Sequence, residues 1–562
     1  MSSDTKPREG WAAGVASELR TGLRTVSARR GFALSAPPTA VIDAPRTMPR
    51  PAPHTTLATA AEKRGRTRRL WWKIPIDGTL LALAVGGGAL LRLVDLGGIG
   101  LNSDEAVYAS QAASLAGNPH FTGLFPVVRA HPLLFQVLAS PFYGSGTPDT
   151  PGRYLSAVFG IGTIGLVFVL GLVLYSRRVG ALAALLLALM PYHLVISRQI
   201  LLDGPMTFFG TAALVCVALF GRTERGRWLV VGGACLGMAA LSKETAIILV
   251  GSLLVFLSLV SRLWRPVRYV LAALAAAIGL ALTYPLVTAV SGGSHSGQSY
   301  LLWQLTRAPN HSFAFYLTTI PLAIGLTVLV VAALGLVLCR RDRSWREVLL
   351  LSWVAVPFLF FEIWPVKGFS YLLVTTPAIV VLAARPLVWL AAAEPRRIRN
   401  RVIGAGLAAA CVFSLLVPSV LSLVHRSSTP LAGAGGTPGG REAGRWVATH
   451  LPAGARLMTI GPSMANVLQY YGGRTSDGLS VSPNPLHRNP SYHPILNADA
   501  ALRSGTYQYI VWDAYSAQRS PTFATKARDL ARRFGGRVIH VELARFHGKP
   551  RQPVIVIYQV IP

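Results

Sequence analysis

AVFGIGTIGLVFVLGLVLYSRR, residues 157–178, decides the architecture. From Ala157 to Tyr175 the run carries no charge, and Arg177 and Arg178 close it. A stretch of about 20 apolar residues is what a helix needs to cross the hydrocarbon core of a bilayer. Val270 to Val290 is a second such run. Across all 562 residues, 52% are hydrophobic and only 14% are charged. A soluble chain carries roughly a quarter charged residues, so the composition is that of a membrane protein.

Working outward, the hydropathy pattern predicts about eleven spans, at 76–95, 153–175, 179–196, 204–221, 227–242, 245–261, 267–290, 315–339, 347–364, 370–391 and 402–424. Every second connection is arginine-rich: Arg177 and Arg178, then Arg222, Arg225 and Arg227, then Arg262, Arg265 and Arg268, then Arg340, Arg341, Arg343 and Arg346, then Arg396, Arg397, Arg399 and Arg401. The other connections lack such clusters. The positive-inside rule puts the basic set in the cytoplasm. The formal charge of +31 is thereby explained without nucleic acid, and no basic stripe with interleaved aromatics appears. The weak place in the count is Ser242-Lys243-Glu244, where two short spans abut.

Residues 1–72 are rich in Arg, Pro, Ala, Ser and Thr and show no core pattern, which predicts a disordered cytoplasmic tail. Residues 73–425 form the predicted membrane domain, with a long first extracytoplasmic loop at 96–152. Within that loop, 104–115 and 131–142 have the pattern of short interfacial helices. A Gly-rich linker, 426–440, leads to a soluble stretch, 441–562, in which strand and helix patterns alternate as in a small α/β domain. An odd span count places that domain outside, in a multi-pass plasma-membrane protein with a cytoplasmic N-terminus. Cys216, Cys235, Cys339 and Cys411 have no metal-ligand spacing and are expected as small buried hydrophobes.

The chemically able residues gather on the uncharged face. They are Asp104 and Glu105, then His131, then Arg198 and Asp203, then Lys243 and Glu244, then His295, Trp303, Arg307 and His311, then Glu362, Lys367 and Tyr371. Ionisable groups at membrane ends carry a desolvation cost, so they are functional candidates. Each has a structural alternative. Asp104 could cap a helix, and Glu105 could favour a helix dipole. Lys243 and Glu244 could pair with each other. Lys367 could snorkel, His131 could be a satisfied interfacial histidine, and Arg198 could be an anchor.

The order of these motifs resembles one family. Asp104-Glu105 after the first span, His131-Pro132-Leu133, Ser197-Arg198-Gln199-Ile200-Leu201-Leu202-Asp203, Leu241-Ser242-Lys243-Glu244-Thr245-Ala246 and the Lys367-to-Tyr371 segment ending toward Pro377 are similar to motifs of the type C glycosyltransferases. The nearest branch is the protein mannosyltransferase and aminoarabinose transferase group, the dolichyl-phosphate-mannose-protein mannosyltransferase-like family. Leu133 stands where the family usually has a second proline, and Ala130 where the aminoarabinose branch has an acid.

The resemblance implies an α-helical polytopic, type C membrane fold over about 76–390. It implies an inverting transfer of a mannose-like or other sugar from a polyprenyl-phosphate donor to an extracytoplasmic acceptor, which is protein, lipid or polysaccharide. Asp104 would be the general base, with Glu105 supporting it or shaping the acceptor site. Asp203 would orient hydroxyls. Lys367, Arg198, Lys243 and His131 would offset phosphate charge, with Glu244 and Tyr371 in the same substrate site. No metal is demanded, although three carboxylates could hold a divalent cation. The competing readings are a lipid or sugar transporter and a non-catalytic cell-envelope assembly protein whose loop around His487, Arg488, Asn489, Tyr492 and His493 contacts glycan. Transporters place ionisable groups near mid-bilayer; here they sit at span ends on one side.

Overall fold

A computed structural model describes residues 76–121, 124, 131–260, 267–290, 303, 304, 306–338, 344–391, 398–425, 431, 435–546 and 548–561. The N-terminal tail, His295 and most of the linker's first half lie outside the described residues. Residues 73–562 form one compact unit.

The membrane part begins with α1 (Ile76–Leu93). The first loop carries α2 (Ser103–Leu115) and α3 (Leu134–Ala139), so both expected loop helices are present, the second shorter than its pattern. Then follow α4 (Pro151–Leu174), α5 (Arg177–Leu189), α6 (Pro191–Ile196), α7 (Asp203–Thr223), α8 (Arg227–Ser242), α9 (Ile247–Leu259), α10 (Val267–Val290), α11 (Ala314–Ile324), α12 (Leu326–Leu338), α13 (Trp345–Ile363), α14 (Thr376–Ala391) and α15 (Ile398–Val424). Helix is found at each of the eleven expected spans. Among the described residues, five segments suffice alone by length and composition to cross a membrane: α4, α7, α10, α15 and the 371–391 segment that ends in α14. The α11–α12 pair would make a sixth.

Three expected spans are not continuous α-helix. The span at 315–339 bends by 98° between α11 and α12, because Gly325 sits at φ 99° and ends the first helix. The span at 179–196 breaks before Pro191, which opens α6 at a position where its missing N–H costs nothing. The span at 370–391 starts with a 3₁₀ turn, Tyr371–Thr375. At the doubtful junction, α8 ends, Lys243 is extended, and a 3₁₀ turn at Glu244–Ala246 leads into α9. The two short helices are therefore separate elements.

Close helix contacts are made through glycine. A Cβ on Gly171 of α4 would lie 2.5 Å from the Gly180 Cα of α5. A Cβ on Gly233 of α8 would lie 2.1 Å from the Ala273 carbonyl oxygen of α10. Such small-residue seams let helix backbones approach where no hydrophobic drive between helices exists. At the basic end of the bundle, buried Glu347 accepts from Tyr175 Oη at 2.7 Å and pairs with Arg385.

The soluble part runs α16 (Gly440–His450), β1 (Arg456–Thr459), α17 (Pro462–Gly472), β2 (Thr475–Gly478), α18 (Ala498–Arg503), β3 (Tyr509–Asp513), α19 (Ala514–Arg519), α20 (Pro521–Arg533), β4 (Arg537–Phe546) and β5 (Lys549–Gln559). The five-stranded sheet has the order β2-β1-β3-β5-β4. β2, β1 and β3 are parallel, and β5 and β4 join antiparallel. The expected small α/β domain is present, and β2 and α18 flank the loop around His487.

This domain is packed against the first loop. Val467, Tyr470 and Tyr471 of α17 share one apolar core with Ala106, Ala109, Ala113 and Phe135 of α2 and α3. The Tyr471 hydroxyl accepts the Leu101 N–H at 2.9 Å and donates to Asp149. The last part of the Gly-rich linker is fitted as well: a Cβ on Gly436 would meet the Gly100 carbonyl at 2.4 Å.

Replacing Gly171 by leucine should therefore separate α4 from α5. The expected result is a lower melting temperature and loss of the monodisperse peak in detergent. Gly165→Ala, which adds a methyl into open space on the same helix, should leave both unchanged.

Candidate functional site

The site is built on the N-terminus of α2. Asn102 is the N-cap: its Oδ1 accepts the N–H of Asp104 and of Glu105, both at 3.0 Å. The Glu105 carboxylate accepts the Asn102 N–H at 3.0 Å, which completes a capping box. Capping is thus done by Asn102 and not by Asp104. Successive helical residues point about 100° apart at 3.6 residues per turn, so Asp104 and Glu105 face different surroundings.

Glu105 turns inward and is fully buried. Arg153, the third residue of α4, grips it with Nε to Oε1 and Nη2 to Oε2, each 2.7 Å. The Ile200 N–H adds a third bond at 3.1 Å. The same guanidinium donates to the carbonyls of Leu96, Ile99 and Gly100. A planar fork with every hydrogen bond used is the arrangement in which a buried ion pair recovers its desolvation cost. Glu105 therefore braces the loop from behind, and no part of its carboxylate is left for substrate.

Asp104 faces the other way. Its side chain is open at the surface, and among the described residues no hydrogen bond reaches its carboxylate. The surrounding protein thins its water shell, and this pushes the carboxyl pKa upward, with the Asp203 charge adding to the effect. Lys243, His131 and Arg519 pull it back.

Around Asp104 stand two compensated pairs. Lys243 Nζ bonds both oxygens of Asp203 at 2.9 Å, and both side chains are buried. The Tyr371 ring lies 4.5 Å from the same ammonium, a cation–π contact. Glu244 accepts from His131 Nδ1 at 2.8 Å, so that nitrogen carries the proton. Lys243 and Glu244 thus pair with distant partners and not with each other. Asp203 is the first residue of α7, where the helix dipole also favours a carboxylate.

Two expected residues lie outside this group. Arg198 donates to the carbonyls of Leu91, Arg92 and Asp95 at 2.7, 3.1 and 3.3 Å, closing the C-terminal end of α1. It is the anchor that its alternative reading described. Lys367 is buried, donates to the Phe361 and Glu362 carbonyls, and lies 3.9 Å from the Glu362 carboxylate. Its backbone N–H and carbonyl are clamped by Asn310 at 2.8 and 2.9 Å. Its ammonium acts on the site edge through His311.

Residues 130–288 match the family profile described as dolichyl-phosphate-mannose-protein mannosyltransferase. No curated protein sequence matches the chain. Among solved structures, ArnT from Cupriavidus metallidurans in the apo state superposes with a TM-score of 0.64 at 16% identity, covering 86% of this chain and 98% of ArnT. The same protein bound to undecaprenyl phosphate gives 0.60 at 17% identity, covering 85% and 98%. The oligosaccharyltransferase of Archaeoglobus fulgidus, tethered with an acceptor peptide, gives 0.56 at 15% identity, covering 83% and 72%. The chain carries the type C glycosyltransferase fold.

In this type C glycosyltransferase fold the three carboxylates considered as cation ligands do not converge. Glu105 is held by Arg153 and Asp203 by Lys243, and among the described residues no group of three or more His, Cys, Asp or Glu side chains is placed to hold a metal. Three contributors carry no recognisable motif. Arg153 sits at the start of a span and looks like an interfacial charge. Arg307, whose charge acts on Tyr371, is among the candidates of the fourth outer loop but belongs to no family segment. Arg519 belongs to the soluble domain, far from any family segment. Only spatial neighbourhood assigns them.

Arg153→Ala should leave Glu105 buried without a partner. Breaking a buried pair in this way costs about 3–5 kcal/mol, so thermal unfolding in detergent should shift down sharply. The double replacement Glu105→Met with Arg153→Leu, which removes both charges, should recover part of the loss.

Proposed function

We propose that the chain is a polyprenyl-phosphate-sugar-dependent glycosyltransferase that works on the extracytoplasmic side. The observation that carries this reading is the contrast at α2: Glu105 is locked to Arg153, whereas the adjacent Asp104 is open, accepts no hydrogen bond from the described residues and feels the charge of Lys243. An ionised carboxylate with free acceptor capacity is what a general base requires.

Asp104 takes the proton from an acceptor hydroxyl. The acceptor oxygen attacks the anomeric carbon, and the bond from that carbon to the phosphate oxygen breaks with its electron pair going to the phosphate. Attack opposite the leaving group inverts the anomeric centre. Asp203, held by Lys243, and Glu244, held by a hydrogen bond from His131, are placed to accept hydrogen bonds from sugar hydroxyls. Lys243 and Arg307 bring positive charge to the side where the phosphate develops charge. The Cupriavidus neighbour bound to undecaprenyl phosphate supports a lipid phosphate donor. The arginine-rich loops at the opposite end of the bundle support the outward orientation. The donor sugar is a hexose or pentose, and the acceptor is a protein, lipid or polysaccharide hydroxyl. Catalysis in this reading needs no divalent cation, because arginine and lysine already neutralise two of the three carboxylates; a chelator should leave turnover unchanged.

Asp104→Asn should lower turnover by about 10²–10⁴-fold, the range for a lost general base. The measurement is sugar transfer or release by the protein in nanodiscs, with a panel of polyprenyl-phosphate sugars. Wild-type turnover in Asp104→Asn would remove the assignment. The pH profile carries a sign. The base works ionised and its pKa is raised, so activity should fall as pH falls through a value above the ordinary aspartate figure of about 4. That acid limb should disappear in Asp104→Asn.

A further inference from the structure

Helix α19 follows β3 directly. Asp513 caps it, its Oδ1 accepting the Ser516 N–H at 2.6 Å, and its last residue is Arg519. That side chain is exposed. Among the described residues its partner is Tyr515, through Nη1 to Oη at 3.0 Å and a ring contact at 5.5 Å. Among the described residues no carboxylate pairs with it. This sets Arg519 apart from Lys243, His131, Lys367 and Arg153, each of which has a carboxylate within 4 Å.

A Cβ on Gly461, the residue just before α17, would lie 3.8 Å from Ser516 Oγ of α19, so α19 starts beside the start of the docked helix α17. Asn466 of α17, itself buried, donates to Ser103 Oγ at 3.1 Å, one residue before Asp104, and to Tyr492 Oη at 2.9 Å. From the opposite wall, Thr306 Oγ1 donates to the Leu486 carbonyl at 2.8 Å. The soluble domain is thus tied to both the α2 side and the fourth-loop side. The Arg519 charge acts on both Asp104 of the first loop and His311 of the fourth.

We infer that the soluble domain roofs the reaction chamber and that Arg519 is a substrate-binding residue, donating its guanidinium to the phosphate of the lipid-linked donor. The inference rests on the proposed glycosyltransferase reading. An anion entering a chamber of compensated cations gains most from a cation that has no counter-ion to displace. Arg519 meets that condition, and its fork geometry suits phosphate oxygens.

The test is binding of undecaprenyl phosphate, with undecaprenol as the uncharged control, to the full chain in nanodiscs. Arg519→Ala should weaken undecaprenyl phosphate binding by about tenfold, the scale of one charge-assisted hydrogen bond. Arg519→Lys should restore part of it, and undecaprenol should bind weakly and equally to all three proteins. Asp104→Asn should still bind the phosphate lipid. Wild-type affinity in Arg519→Ala overturns the inference and leaves the glycosyltransferase reading intact. Unchanged binding with a displaced acid limb of the activity profile would make Arg519 a positioning residue for Asp104, and also overturns it. No preference of the wild-type chain for the phosphate over the alcohol removes both readings.

Discussion

The bidentate contact between Arg153 and Glu105 is the constraint on which the candidate site depends. It joins α2 of the first loop to the start of α4, and through the remaining guanidinium hydrogens it gathers three carbonyls of the chain leaving α1. Five donor–acceptor contacts at one buried cation fix the position and the rotation of α2. The rotation matters most. With Glu105 held inward, the helical period turns Asp104 outward. One pair thereby decides which of two neighbouring acids is available for chemistry.

The charges of the chamber follow a common design. Asp203 with Lys243 is locally neutral, and Glu244 is held by a hydrogen bond from His131. The ion pair fixes side-chain positions without adding net field, since each charge is offset at short range. The departure from neutrality is carried by Asp104 on one side and by arginines such as Arg519 on the other. A preorganised polar surface of this kind stabilises charge that appears only during reaction, without reorganising at that moment.

Much of this was legible in the sequence. Apolar runs of span length announced the helices. Segment motifs singled out Asp104, His131, Asp203, Lys243 and Tyr371, which do come together. What was not legible has physical reasons. The helix breaks at Gly325 and Pro191 lie within apolar runs, so hydropathy passes over them. Glu105 looked equivalent to Asp104 because its partner lies 48 residues away. Lys243 and Glu244 are adjacent in sequence, yet they pair with Asp203 and His131, 40 and 113 residues distant. Arg519 and Asn466 carry no motif at all, because their place in the site comes from domain docking, which a local pattern does not encode.

The docking of α17 against the first loop has a consequence for the order of events during synthesis. Leu101 and Tyr471, joined by a hydrogen bond, are separated by 370 residues. At about 5–20 residues per second, the ribosome needs on the order of 20–70 s to bridge that distance. Throughout that interval the outer loop has been made, while the apolar face of α2 and α3 lacks Val467, Tyr470 and Tyr471. The chamber is therefore a late product: the Asp104 wall is among the earliest parts of the chain, and the first loop stays uncovered until the last domain arrives.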